Sequence, residues 1–340
     1  MSFKLFFLKT FKGLNNTDKV EVNRDKLWAD YQSFVKVQQS DDLMQYMELD
    51  QYVNSPNFKK DKAGIKSKNF EGSQEERKLL ESTIQQKEQT YQRLKKDRGI
   101  QNYLKYKESN AFAFFRNWDL VFEDRFDGNE LDPAKWQVIS PVARKTVGTN
   151  FSKQGDLHAY TDGKNVQIRN NHLQVVVKRE KTESLVWNLP LGFKAEKFDY
   201  SSGLLNNVAF DAHFGILEAK IKFQPKSQLV DVFYLSDDKN EARLNLLECG
   251  KVCRLGYATG NGKNYFEPLS GLKVGHFYIF RMEWEQGKIT WKINNRKVYT
   301  LEQQVPDKPM KLNINSIVVD HIENLPHYFE VDWVRFYQKK

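Results

Sequence analysis

Three polar side chains at short, fixed spacing, Arg243, Asn245 and Glu248, are the residues of this chain best arranged to act together. In Glu241-Ala-Arg-Leu-Asn-Leu-Leu-Glu-Cys249, polar Arg243 and Asn245 alternate with apolar Leu244 and Leu246, the period-two pattern of a strand with one buried face. The Leu246-Leu247 doublet then breaks the alternation as a β-bulge does. The extra residue re-aims the strand, so Glu248 returns to the face of Arg243 and Asn245. One sheet face therefore carries guanidinium, amide and carboxylate in a row. A carboxylate can work as acid, base or nucleophile, whereas a guanidinium, charged at every accessible pH and without an acceptor, does none of these. The row has one chemically competent member where paired carboxylate chemistry needs two.

This stretch resembles the catalytic strand of the family 16 glycoside hydrolases, the laminarinases, lichenases and other β-glucanases, agarases and carrageenases. Their motif reads Glu-hydrophobic-Asp-hydrophobic-hydrophobic-Glu on a bulged strand of a concanavalin A-like jelly roll. The resemblance implies a nucleophile at the first position, an assisting Asp at the second and an acid/base at the last. Here Arg243 stands at the nucleophile position, Asn245 at the assisting one, and Glu248 alone retains its carboxylate. Retaining cleavage needs two carboxyl groups about 5–5.5 Å apart, so the motif is degenerate. Glu241 lies one strand step before Arg243, and a step of roughly 6.6 Å puts it too far away to replace the missing nucleophile. Arg243, partly desolvated in a groove, is expected within hydrogen-bond reach of Glu241 or Glu248.

The resemblance covers residues 118–337. Leu120-Val-Phe-Glu-Asp-Arg-Phe-Asp-Gly-Asn-Glu-Leu-Asp-Pro-Ala-Lys-Trp136 is similar to the family's opening strand and turn. Phe214-Gly-Ile-Leu-Glu-Ala-Lys-Ile-Lys222 is similar to the strand before the catalytic region, and Val331-Asp-Trp-Val-Arg-Phe-Tyr337 to the closing one. Before the bulged strand, family members commonly carry Gly-x-Trp-Pro-Ala-Phe-Trp-Leu, whose tryptophans shape a sugar cleft. This chain has Gln228-Leu-Val-Asp-Val-Phe-Tyr-Leu235, with Val230 and Tyr234 at the tryptophan positions. Glu241, Tyr234, Trp187, Tyr257 and Tyr265 are the candidate binding residues of a remaining cleft; for the aromatic ones, core packing is the alternative.

The elements that must position these residues fall in two regions. From residue 118 onward, β-branched and aromatic residues, short alternations and Gly/Asn/Asp turns predict strands. Together with the resemblance this predicts a mainly β fold: a concanavalin A-like antiparallel β-sandwich, or jelly roll, over residues 118–340, preceded by an α-helical module over residues 1–117. Phe3, Phe7, Phe11 and Leu14 fall at helical spacing beside lysines, a basic amphipathic stripe. Residues 25–52 and 75–115 lack Pro and read as long helices, with a Pro- and Lys-bearing loop between them over residues 54–68. Leu43-Met-Gln-Tyr-Met-Glu-Leu49 and Ile100-Gln-Asn-Tyr-Leu-Lys-Tyr106 are weakly self-similar, too few copies for a solenoid.

The chain has 340 residues, 40% hydrophobic and 29% charged, with formal charge +9. That is enough for a large β core plus an appended module. The positive balance suits an acidic partner such as an anionic polysaccharide, or only a solvated basic surface. With two cysteines, Cys249 and Cys253, the chain is no disulfide scaffold, and the pair reads as two thiols at a strand end. The apolar run at residues 5–8 is shorter than a signal peptide's core, and no stretch approaches a membrane span. The expected location is therefore cytoplasmic.

These readings converge on a non-catalytic, pseudoenzyme-like protein that acts as a glycan-binding or assembly module. The alternatives are an active, retaining endo-β-glycanase, that is an O-glycosyl hydrolase, and a structural component of an intracellular assembly. The expected partners are a β-glucan or anionic polysaccharide, and a protein or second copy through residues 1–117. Nucleic acid is not favoured, and no metal or cofactor is expected.

Overall fold

The structure, a computed structural model, describes residues 14–67, 70–188, 190–237 and 242–340. The chain divides into a helical unit, Glu21–Asn117, and a strand-rich unit, Trp118–Lys340, with which residues 14–20 group.

The helices are α1 (Thr17–Gln38), α2 (Asp41–Val53), α3 (Pro56–Lys66), α4 (Gln74–Lys95), α5 (Arg98–Tyr106) and α6 (Ala113–Asn117). The helix expected over residues 25–52 is split by Ser40, whose hydroxyl accepts the N–H of Leu43 and caps α2. Asp97 does the same for α5 and divides residues 75–115. The loop expected over residues 54–68 is largely α3: Ser55 caps it and Pro56 takes the first turn, where its missing N–H costs nothing. The two self-similar segments lie on α2 and α5 and meet in one apolar cluster with Tyr91 and Leu94. Of the amphipathic N-terminal stripe, Phe3, Phe7 and Phe11 lie outside the described residues, while Leu14 packs against the core of the strand unit.

The strand unit runs β1 (Trp118–Asp124), β2 (Trp136–Gln137), α7 (Pro141–Thr146), β3 (Phe151–Lys153), β4 (His158–Tyr160), β5 (Val166–Arg169) and β6 (His172–Asn188). It continues through β7 (Gly192–Ser202), β8 (Leu204–Asn207), β9 (Gly215–Phe223), β10 (Leu229–Ser236), β11 (Arg243–Cys249) and β12 (Cys253–Ala258). The last six are β13 (Asn264–Pro268), β14 (His276–Glu285), β15 (Lys288–Ile293), β16 (Arg296–Leu301), β17 (Lys311–Val318) and β18 (His327–Lys339).

Among the described residues, eleven strands form one sheet along the path β16-β15-β14-β9-β18-β6-β7-β4, with β1 on β18 and with β3 and β5 on β6. Seven form the other, in the order β13-β12-β11-β10-β17-β8-β2. The expected antiparallel sandwich is the architecture found, with two short parallel exceptions, β3 with β6 and β4 with β7. Asn170-Asn171 and Asn294-Asn295 turn the β5–β6 and β15–β16 hairpins with positive φ, the left-handed geometry that two-residue hairpin loops demand and Asn tolerates.

One apolar core lies between the sheets. The larger sheet gives it Leu217, Ile221 and Trp291, and the smaller gives Phe233, Leu244 and Ile314. Side chains that alternate with these on the smaller sheet point away from the core, and the functional residues are among them.

Candidate functional site

On β11 the alternation predicts every second side chain on the outer face, and the bulge sets the direction of Glu248. Against β10, Tyr234 faces Asn245 and Phe233 faces Leu247, so Leu246 is the extra residue. Leu246 and Leu247 are both fully buried in the inter-sheet core. Glu248 thereby shares the outer face with Asn245, and the Asn245 Nδ2 donates to Glu248 Oε2 at 2.7 Å. The Asn245 backbone carbonyl accepts from Trp291 Nε1 at 3.0 Å, which ties the bulge to the opposite sheet. Gly256 on β12 lies opposite Asn245 at φ +136°, and a Cβ there would meet the Tyr265 carbonyl oxygen at 2.0 Å. Only glycine fits that close approach.

Glu248 finds its counter-ion on the next strand. Arg254 is its cross-strand neighbour, and the Arg254 Nε donates to Glu248 Oε1 at 2.8 Å while Nη2 pairs with the same oxygen. The Arg254 guanidinium also lies 4.2 Å from the Phe266 ring centroid. Both oxygens of Glu248 are thus engaged, and the residue as a whole is buried at 7% exposure.

Of the two carboxylate partners expected for Arg243, Glu248 is held instead by Asn245 and Arg254. The Arg243 guanidinium sits 5.8 Å from the centroid of the Tyr234 ring, and Glu241 lies outside the described residues. Burial pushes the Tyr234 phenol above its ordinary range, and the Arg243 charge acts in the opposite sense. Tyr160, from β4, also has its phenol raised by burial, and its oxygen accepts from Asn315 Nδ2 at 2.9 Å.

The structure brings Arg243, Asn245, Glu248 and Tyr234 together and leaves the other aromatic candidates elsewhere. Tyr257 is in the inter-sheet core, because it pairs with core-facing Leu244. Tyr265 packs partly against that core and donates its hydroxyl hydrogen to Gln304 at 2.9 Å. Trp187 stands at the far end of β6, 43% exposed and 4.9 Å from the Phe193 ring. Cys249 and Cys253 are not free thiols: they form a disulfide. The two strands pair antiparallel with these residues directly opposite, which brings the sulfurs together. Sequence reasoning missed Arg254 and Tyr160. Arg254 had a signal, since counting outward from the three-residue turn Gly250-Lys-Val252 sets Cys249 against Cys253 and Glu248 against Arg254. Tyr160 had none, because its strand belongs to the other sheet.

The family model described as Glycosyl hydrolases family 16 matches residues 153–335. The chain belongs to that family. Among curated proteins, the beta-glucanase of Brevibacillus brevis is 26% identical over 117 residues, which is 32% of this chain and 41% of that protein. The match thus spans less than half of the relative's length. The catalytic domain of an endo-1,3-beta-glucanase (laminarinase) from Thermotoga petrophila is 20% identical. It covers 66% of this chain and 98% of its own, with a TM-score of 0.52. The endo-beta-1,3-glucanase from Pyrococcus furiosus is likewise 20% identical over 66% of this chain and 95% of its own, with a TM-score of 0.51. At these identities the structural likeness establishes the family 16 fold, and the chemistry rests on the residues of the site.

Proposed function

We propose that this family 16 member binds a glycan on the outer face of its seven-stranded sheet and does not cleave it. The observation that carries this reading is the occupant of position 243. A guanidinium lies against Tyr234 where retaining hydrolysis requires a carboxylate. The engagement of Glu248 supports it further. A proton shuttle must exchange partners during the reaction, and here both oxygens are held by Arg254 and Asn245.

The helical unit is read as the assembly module. Trp28, Met44, Met47 and Leu79 are exposed on it, the kind of apolar surface that a protein partner or second copy covers. Among the described residues no helix is long and apolar enough to cross a membrane. The Cys249–Cys253 bridge favours an oxidising compartment, where disulfides persist, over the cytoplasmic location expected from the chain alone.

Affinity electrophoresis in gels containing β-1,3- or β-1,3-1,4-glucan, run beside a reducing-sugar assay, tests the reading. Retardation without sugar release is the expected result. Sustained sugar release by the wild type would establish the endo-β-glycanase alternative suggested by the beta-glucanase relative.

A further inference from the structure

The register of the seven-stranded sheet lines up two cations. Arg243 on β11 faces Ser236 on β10, and Ser236 faces Lys311 on β17, so the three positions form one row across the sheet, with Ser236 buried between the two cations and its hydroxyl accepting from Asn313 Nδ2 at 2.9 Å. Strands spaced about 4.7–4.9 Å apart place the backbones of the two cations roughly 10 Å from each other along that row. Among the described residues no carboxylate is paired with Arg243; its contact is the face of the Tyr234 ring. A guanidinium lying on a ring keeps its N–H edge available, and that edge matches a carboxylate or sulfate with two parallel hydrogen bonds. Lys311 is partly exposed and meets Asp211 at 3.6 Å, both side chains open to water, a pairing that a bound anion can displace at little cost. Glu248 does not neutralise this row, because its own charge is matched by Arg254.

We propose that Arg243 and Lys311, the two cations of this row, form an anion-recognising subsite, and that the glycan bound by this protein carries acidic groups, either uronate carboxylates or sulfate esters. This rests on the glycan-binding reading and specifies its ligand class. An acidic group at Arg243 would occupy the place where the degenerate motif has lost a carboxylate, so the substitution that removes hydrolysis also supplies the contact.

Isothermal titration of the full chain with three hexasaccharides tests this: a β-1,4-linked mannuronate oligomer, a sulfated galactan oligomer and neutral laminarihexaose. The expected result is that one acidic oligomer binds about tenfold or more tighter than the neutral one, a preference that shrinks in high salt. Which acidic arm wins identifies the anion. Arg243→Met should weaken that arm about tenfold more than the neutral one, Lys311→Met should weaken it less, and Arg243→Lys should recover part of the loss, since a point charge cannot make the forked contact. Thermal melts of each variant check folding. Equal binding of neutral and acidic oligomers, or an Arg243→Met effect equal on both, would overturn the subsite and leave the glycan-binding reading standing. Absence of binding to all three would overturn both.

Discussion

The side-chain amide of Asn245 donates to the carboxylate of Glu248 at 2.7 Å although three positions separate them on one strand, a distance that regular alternation would not allow on a single face. The bulge at Leu246 makes the contact possible, and it does so by burying two consecutive leucines in the core. The polar site and the apolar core are thus set by the same irregularity, so the site inherits the rigidity of the core.

The first expectation concerns activity. Wild-type protein should release no reducing sugar from β-1,3 or β-1,4 glucans, agar or carrageenan. Arg243→Glu with Asn245→Asp restores the family motif on the bulged strand and should still recover little turnover. The Arg254 pairing holds Glu248, and misplacement of a reacting group by about 1 Å can cost 100-fold. Turnover by the double variant approaching that of an active β-glucanase would show that the two lost carboxylates are the whole deficit.

Arg254→Met removes the counter-ion of a nearly buried carboxylate. With the arginine itself partly open to water, the cost should be about 1–2 kcal/mol in urea unfolding. Adding Glu248→Gln should restore part of this, because the orphaned charge is then gone. A double-mutant cycle with no coupling between the two positions would mean that the pair contributes nothing.

The Cys249–Cys253 bridge closes a loop of few residues, so the chain-entropy gain is small, about 2 kcal/mol. A Cys249→Ser, Cys253→Ser protein should melt a few degrees below the wild type, and added reductant should lower the wild-type melting temperature without affecting the variant. A variant as sensitive to reductant as the wild type would point to a different origin.

His158 supplies a pH dependence. Its ring is buried against Tyr160, with Nε2 lacking a partner among the described residues, and burial lowers its pKa from 6.5 to about 4, against a smaller opposing influence of Asp156. Between those two values the unfolded chain holds a proton that the folded one lacks. Stability is therefore full above pH 6.5 and falls as the pH drops toward 4, by up to about 3 kcal/mol. His158→Phe, which keeps the ring and removes the titration, should flatten that part of the profile in unfolding experiments from pH 7 to 4. An unchanged slope would assign the acid sensitivity to other groups.

What the sequence determined by itself is local or periodic. The alternation of Arg243, Leu244, Asn245 and Leu246 and the doublet that ends it were enough to place a bulge and to assign each side chain to a face, because side-chain direction along a strand is a property of neighbours in the chain. The ordered family blocks carried the sandwich in the same way. Helix ends were less legible, since Ser40, Ser55 and Asp97 act as caps only once the backbone around them turns. Only the tertiary structure decided the partners. That Arg254 rather than Arg243 holds Glu248, that Tyr257 turns into the core, and that His158 is buried depend on strand register and on which side of each sheet is covered. Those are set by contacts between residues far apart in the chain, for which the period of a single strand carries no information.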